Sequence, residues 1–197
     1  MTMNKISFEV KIENKTLETT VFIDGERVVW NTVDPTAFMF DVFHKGINTP
    51  YYVKDKTKSH FYNLCISTFE PFTCGCGVSG CAGIWAGIMS KHRKKTVEWK
   101  TKVDDGYGFL KRFYSFDRNQ YEEAVYNLYM ELVSLIEKKE VINSYSTDDD
   151  MLLEDYFKEY CYWSAIENMY EKGFQNGFNR KIKQPTNMPK RYRKRIR

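Results

Sequence analysis

Residues Ile6, Phe8, Val10 and Ile12 are apolar at every second position, with Ser7, Glu9 and Lys11 between them. That is the period of a strand with one face in a core and the other in water. Two further apolar blocks, Val21-Phe22-Ile23 and Val28-Val29-Trp30, flank Asp24-Gly25. An Asp-Gly pair supplies the positive φ angles of a tight hairpin turn, so the chain opens as antiparallel β structure.

Asp34-Pro35 reads as a helix N-cap followed by proline at the first helical position, with Phe38, Val42 and Phe43 on one face and Gly46 as the stop. The run Phe61, Leu64, Ile66 and Phe69 before Pro71 reads as a strand, and Thr96 to Lys100 alternates as a second one. Tyr107, Phe109, Phe113 and Tyr114 continue the β-rich composition beyond another hairpin signal, Asp105-Gly106. Asp117 and Gln120 have the spacing of a capping box, opening a helix with Tyr121, Ala124, Val125, Leu128, Leu132, Leu135 and Ile136 at intervals of three and four. A second long helix is expected to start near Thr147 or Asp148. Asp148, Asp149 and Asp150 would complement its dipole, Leu152, Tyr156, Phe157, Tyr160, Trp163, Ile166 and Tyr170 would form its buried face, and Gly173 and Gly177 would end it. Strands followed by helices, without β-α-β alternation, predict an α+β fold: an antiparallel sheet with a short N-terminal helix, covered by two long C-terminal amphipathic helices. The expected organisation is a single compact α+β domain over residues 1–179, β-rich over 1–115 and helical over 116–179, and a basic C-terminal tail over 180–197.

The 197 residues suffice for one sizeable core, and 16% aromatic content lies far from compositions that stay disordered. The start alternates polar and apolar residues where a signal peptide would place a basic stub and an apolar block, and no apolar run is long enough to span a bilayer. These features predict a cytoplasmic protein. Five cysteines, three of them within eight residues, do not resemble a secreted disulfide framework.

Those three cysteines belong to the stretch Thr73 to Trp85, T-C-G-C-G-V-S-G-C-A-G-I-W, for which three chemistries compete. Cys74, Cys76 and Cys81 can supply thiolates to a structural zinc, with His92 as the fourth ligand and His60 or Cys65 as its alternatives. Cysteine also packs as a small apolar residue in a glycine-rich turn, with no metal involved. Gly75-x-Gly77-x-x-Gly80 formally matches a dinucleotide fingerprint, but Pro71 lies where the preceding strand must pair, and the glycines at 83 and 87 weaken any helix that follows. A nucleophilic thiol would need a base or cation beside it, and His92 with Lys91, Arg93, Lys94 and Lys95 comes ten or more residues later.

The run Phe72-Thr73-Cys74-Gly75-Cys76-Gly77, continuing through Gly80-Cys81-Ala82-Gly83-Ile84 and the strand Val97-Glu98-Trp99, resembles a module of small bacterial and bacteriophage proteins with no assigned activity. The resemblance covers roughly a sixth of the chain. It implies a microbial or phage origin and transfers no catalytic residue. The abundance of Lys, Asn, Ile and Tyr agrees with coding by an AT-rich genome.

Charge is divided along the chain. Arg180 to Arg197 holds nine basic residues and no acid, so a formal net charge of +4 for the whole leaves −5 for the first 179 residues. Lys190, Arg191, Tyr192, Arg193, Lys194, Arg195 and Arg197 combine phosphate-binding cations with a stacking ring, and they suit nucleic acid or an acidic protein surface. The sequence thus points to binding more than to chemistry. It predicts an accessory or counter-defence protein that docks on a host protein or nucleoprotein, with nucleic acid reached through the tail, homo-oligomerisation open and no membrane partner. The competing reading is a metal-dependent enzyme acting on nucleic acid or nucleotide.

Overall fold

The computed structural model describes residues 3–30, 32–45, 68–69, 71–73, 87–101, 104, 106–143 and 150–160. In chain order the elements are β1 (Ile6–Glu13), β2 (Thr16–Ile23), β3 (Glu26–Arg27), β4 (Thr32–Val33), α1 (Pro35–Lys45), β5 (Thr68–Phe69), β6 (Phe72–Thr73), β7 (Ile88–His92), β8 (Thr96–Lys100), β9 (Phe113–Asp117), α2 (Arg118–Glu137), β10 (Val141–Asn143), β11 (Asp150–Leu152) and α3 (Leu153–Tyr160). The strands form antiparallel sheets in the orders β1-β2-β3, β5-β7-β8-β9, β4-β6 and β10-β11.

The N-terminal alternation forms β1, which pairs with β2 from Ile6 opposite Ile23 to Glu13 opposite Thr16. Its turn, Asn14-Lys15, has φ of 48° and 60°, and the Asp24-Gly25 turn between β2 and β3 has 57° and 82°. Positive φ at both central positions is what strand twist requires of a two-residue hairpin loop. Gly25 reaches it without strain. Asp24 is held there by its own carboxylate, which accepts from Lys5 N at 2.8 Å and Asn4 Nδ2 at 2.7 Å. Those bonds keep the Asp24 carboxyl below the usual carboxylate range.

The cap at Asp34 forms as the sequence implies: Oδ1 accepts from Thr36 N at 2.8 Å and from its hydroxyl at 2.6 Å, with Pro35 opening α1. Asp117 likewise caps α2 through Asn119 N and Gln120 N. Gln120, however, does not reach back to close a capping box. Its Nε2 donates to Ile6 O at 2.6 Å and its Oε1 accepts from Ile6 N at 3.2 Å, so the amide takes the place of a neighbouring strand beside β1. One residue pair earlier, Asn4 N donates to Ser115 O at 2.7 Å and Asn4 Oδ1 accepts from Ser115 N at 3.0 Å. Together these contacts join the first sheet to the β9 edge of the four-stranded one.

Trp99, fully buried on β8, is the centre of the core. Phe116, Tyr121 and Phe38 surround it at centroid distances of 4.9, 5.8 and 6.0 Å, and Phe38 reaches Phe8 of the first sheet at 4.8 Å. Aromatic contacts thereby connect both larger sheets with α1 and α2. Side chains from the connection between β8 and β9 also turn inward: Tyr107 is buried, and Phe109 stacks on Trp30 at 4.4 Å.

The expected cover of two long C-terminal helices is corrected. Among the described residues α2 alone is long, at 20 residues, and the second helix is the 8-residue α3. It starts at Leu153 instead of near Asp148, because Asp150 to Leu152 pair as a strand with Asn143 to Val141. Asp150, expected in a helical first turn, makes an ion pair with Lys15 in the β1–β2 turn, and Asn143 N donates to Lys15 O at 2.8 Å. Of the expected buried face, Tyr156 and Phe157 are buried, whereas Leu152 ends β11 at 40% exposure and Leu153 is buried in its place. Connections beyond Tyr160, including Trp163 and the basic tail, lie outside the described residues, as do the expected strand residues Phe61, Leu64 and Ile66.

Gln120→Ala should lower stability by about 1–3 kcal/mol, since it strands two backbone groups of Ile6 in a partly buried setting. Urea unfolding should show a lower midpoint at unchanged slope. An unchanged midpoint would mean that water replaces the clamp.

Candidate functional site

Within α1 the apolar residues Phe38, Met39 and Val42 pack inward, and Asp41 goes with them at 2% exposure. A carboxylate in that position is very unfavourable unless donors surround it. Three converge on its Oδ2: Ser90 Oγ at 3.0 Å, His92 Nε2 at 2.9 Å and Tyr121 OH at 3.1 Å. Ser90 and His92 are two residues apart on β7, which places both on the inner face with Ile88. Tyr121 comes from the first turn of α2, where the Asp117 cap sets the helix start.

An ionised carboxylate only accepts, so the proton of this contact belongs to His92 Nε2, and in the neutral ring Nδ1 then carries the lone pair. The imidazole stands edge-on to Tyr121 at 6.0 Å, and its side chain is only 5% exposed. Tyr121 is held in its protonated form: burial, followed by the charge and hydrogen bond of Asp41, pushes its pKa well above the ordinary value of 10.0.

The constellation contains a serine, a histidine and an aspartate, but the wiring differs from that of a nucleophile. In a catalytic triad the hydroxyl faces the imidazole, which can then take its proton. Here the Ser90 hydroxyl and the imidazole are both turned to the same carboxylate oxygen. The arrangement makes Asp41 a shared acceptor that ties α1, β7 and α2 to one point.

Of the proposed metal ligands, His92 is in this cluster, whereas Cys74, Cys76 and Cys81 lie outside the described residues, as do His60 and Cys65. Among the described residues no group of three or more His, Cys, Asp or Glu is placed to hold a metal ion. The tail residues Lys190, Arg191, Tyr192, Arg193, Lys194, Arg195 and Arg197 are likewise outside the described part. Also among the described residues, no helix is long and apolar enough to cross a membrane.

Sequence reasoning missed Asp41, although a signal exists in F-M-F-D-V-F, where an acid interrupts the apolar face of a short helix. It also missed β7, because Ile88-Met89-Ser90-Lys91-His92 alternates with polar residues on its inner face. No family model, no curated protein and no solved structure matches the chain.

Asp41→Ala should destabilise the fold by about 3–5 kcal/mol, because three buried donors lose their acceptor together. The raised pKa of Tyr121 gives the pH dependence its sign. The folded state retains the phenolic proton where the unfolded chain has already released it, so this contribution is complete below pH 10.0 and declines as pH rises beyond it. Tyr121→Phe should cost about 1.5–3 kcal/mol at neutral pH, from the lost hydrogen bond to a charged group. Its stability should then fall less steeply than the parent's in alkaline urea titrations.

Proposed function

We propose that this protein works by binding and not by catalysing a reaction. In this reading it is an accessory or counter-defence protein, of bacterial or phage origin, that docks on a host protein or nucleoprotein. The observation that carries the reading is the convergence of Ser90, His92 and Tyr121 on one oxygen of Asp41. Ser90, His92 and Tyr121 are each turned to Asp41 inside the core, where these contacts stabilise the scaffold. Net charge separated between a −5 body and a tail with nine cations supports association with charged partners.

A second reading rests on one feature of His92. A buried carboxylate that holds one imidazole nitrogen is the usual support for a histidine whose other nitrogen binds a metal. Under it, His92 would act with Cys74, Cys76 and Cys81 to hold zinc, as a structural centre or as the metal of an enzyme acting on nucleic acid or nucleotide.

Affinity capture from host lysate, with and without nuclease, tests the first reading. A partner retained by the parent and reduced by Arg191→Ala/Arg193→Ala/Arg195→Ala supports docking through the tail, and loss on nuclease treatment identifies the partner as nucleoprotein. A protein that captures nothing reproducible in either condition would overturn it. Elemental analysis tests the second reading: zinc near one equivalent should disappear, and thermal stability fall, in Cys74→Ser/Cys76→Ser. Metal-free parent protein would remove the zinc site.

A further inference from the structure

The inner face of the four-stranded sheet is sealed by Trp99, Tyr114 and Phe116, while its outer face is basic and carries exposed apolar side chains. Register places Met89, Lys100 and Phe113 side by side across β7, β8 and β9. Met89 and Phe113 are each 40% exposed, a large fraction for such residues, and Lys100 between them is exposed as well. The next row holds Lys91, Glu98 and Ser115. Glu98, the acid of that row, is neutralised by Arg93 at 2.6 Å. Lys94 and Lys95 extend the charge around the β7–β8 turn. None of Lys91, Lys94, Lys95 or Lys100 has a carboxylate within ion-pair distance among the described residues, whereas Lys11, Lys15, Arg118 and Lys158 each do.

We propose that this outer face binds single-stranded nucleic acid, with Phe113 stacking on a base while Lys91 and Lys100 contact phosphates. The inference rests on the reading of the protein as a binder and names a surface and a ligand class for it. Three features favour nucleic acid, and the last two of them a single strand. Cations without a carboxylate partner among the described residues attract any polyanion and gain free energy by counterion release. An exposed ring level with a lysine on a flat sheet adds a stacking platform, which only an unpaired base can occupy. Strands spaced about 4.8 Å apart, with same-face residues nearly 7 Å apart along each strand, offer cation and ring at the separation of a base and its own backbone. An acidic protein surface would use the cations but has no particular need of an exposed ring.

The test is fluorescence anisotropy of a labelled 20-nucleotide single-stranded oligonucleotide and of its duplex, titrated with the full chain between about 50 and 200 mM salt. The parent should prefer the single strand. Lys91→Ala/Lys100→Ala should weaken binding and reduce the steepness of its log–log salt dependence by about 1.4, two phosphate contacts at about 0.7 each. Phe113→Leu keeps an apolar residue on the strand but removes the ring, and should weaken binding about 5- to 150-fold with little change in salt slope. Phe113→Trp should restore it. Because all these side chains are exposed, each variant should melt like the parent. Sheet variants that bind like the parent overturn the inference, and if the Arg191→Ala/Arg193→Ala/Arg195→Ala tail variant then loses binding, the docking reading survives with the tail as its site. A parent that binds no oligonucleotide, yet captures a partner in a nuclease-insensitive manner, also overturns the inference and directs the sheet to an acidic protein.

Discussion

A carboxylate sealed inside an aromatic core persists only if donors are brought to it, and in this fold they come from a strand and a second helix. Asp41 therefore constrains far more than α1. For Ser90 and His92 to reach it, β7 must turn its inner face toward the helix. For Tyr121 to reach it, α2 must begin beside the sheet, which the Asp117 cap at the end of β9 ensures. Trp99 then fills the space that these placements enclose, in edge-on contact with Tyr121 and Phe116. Packing alone would tolerate small rotations of α1, whereas three bonds to one oxygen select a single setting.

The junction between the two larger sheets depends on a different device. β1 lies next to β9 only at its start, where Asn4 makes an isolated parallel bridge to Phe116. Beyond that point the strands diverge, and Ile6 would be left with unpaired backbone groups. The Gln120 amide meets both of them, an acceptor and a donor on one planar group taking the role of a peptide. The first turn of α2 thus serves the sheet junction through Gln120 and the core network through Tyr121. Both functions require the helix to start at Arg118, so its cap matters to tertiary structure as much as to the helix itself.

Features set by local chemistry were legible in the sequence. The β1 alternation, the Asp24-Gly25 turn, the Asp34 and Asp117 caps and the three-and-four spacing of α2 each follow from the conformational preferences of a few neighbouring residues. What was not legible depended on distant partners. Asn14-Lys15 turns as tightly as Asp24-Gly25, but lysine in a positive-φ position carries no turn signal. Three acids near residue 148 suit a helix start, yet Asp150 is claimed by Lys15, 135 residues away. Gln120 has capping-box spacing and is diverted by Ile6. His92 stands out in the sequence as an imidazole among cations, but the carboxylate that organises it is 51 residues earlier. For Asp150 and Gln120 a correct local preference lost to a tertiary contact that linear spacing does not encode.

The same strands that bury the polar network also set the geometry of the basic face. Alternation puts Ser90 and His92 inward and Met89 and Lys91 outward on β7, and it puts Trp99 inward and Lys100 outward on β8. Every outward side chain is therefore mounted on backbone whose neighbours are anchored by hydrogen bonds or by close aromatic packing. A surface of this kind loses little backbone freedom on meeting a ligand, which leaves more of its contact energy for affinity. Ordering of the long lysine side chains is still required, and it limits what their charges alone can contribute. The exposed ring of Phe113 has only two rotatable bonds and sits on a strand paired to β8, so it gains contact area at a much smaller entropic penalty. On such a face the cations draw a polyanion in and the ring determines how long it stays.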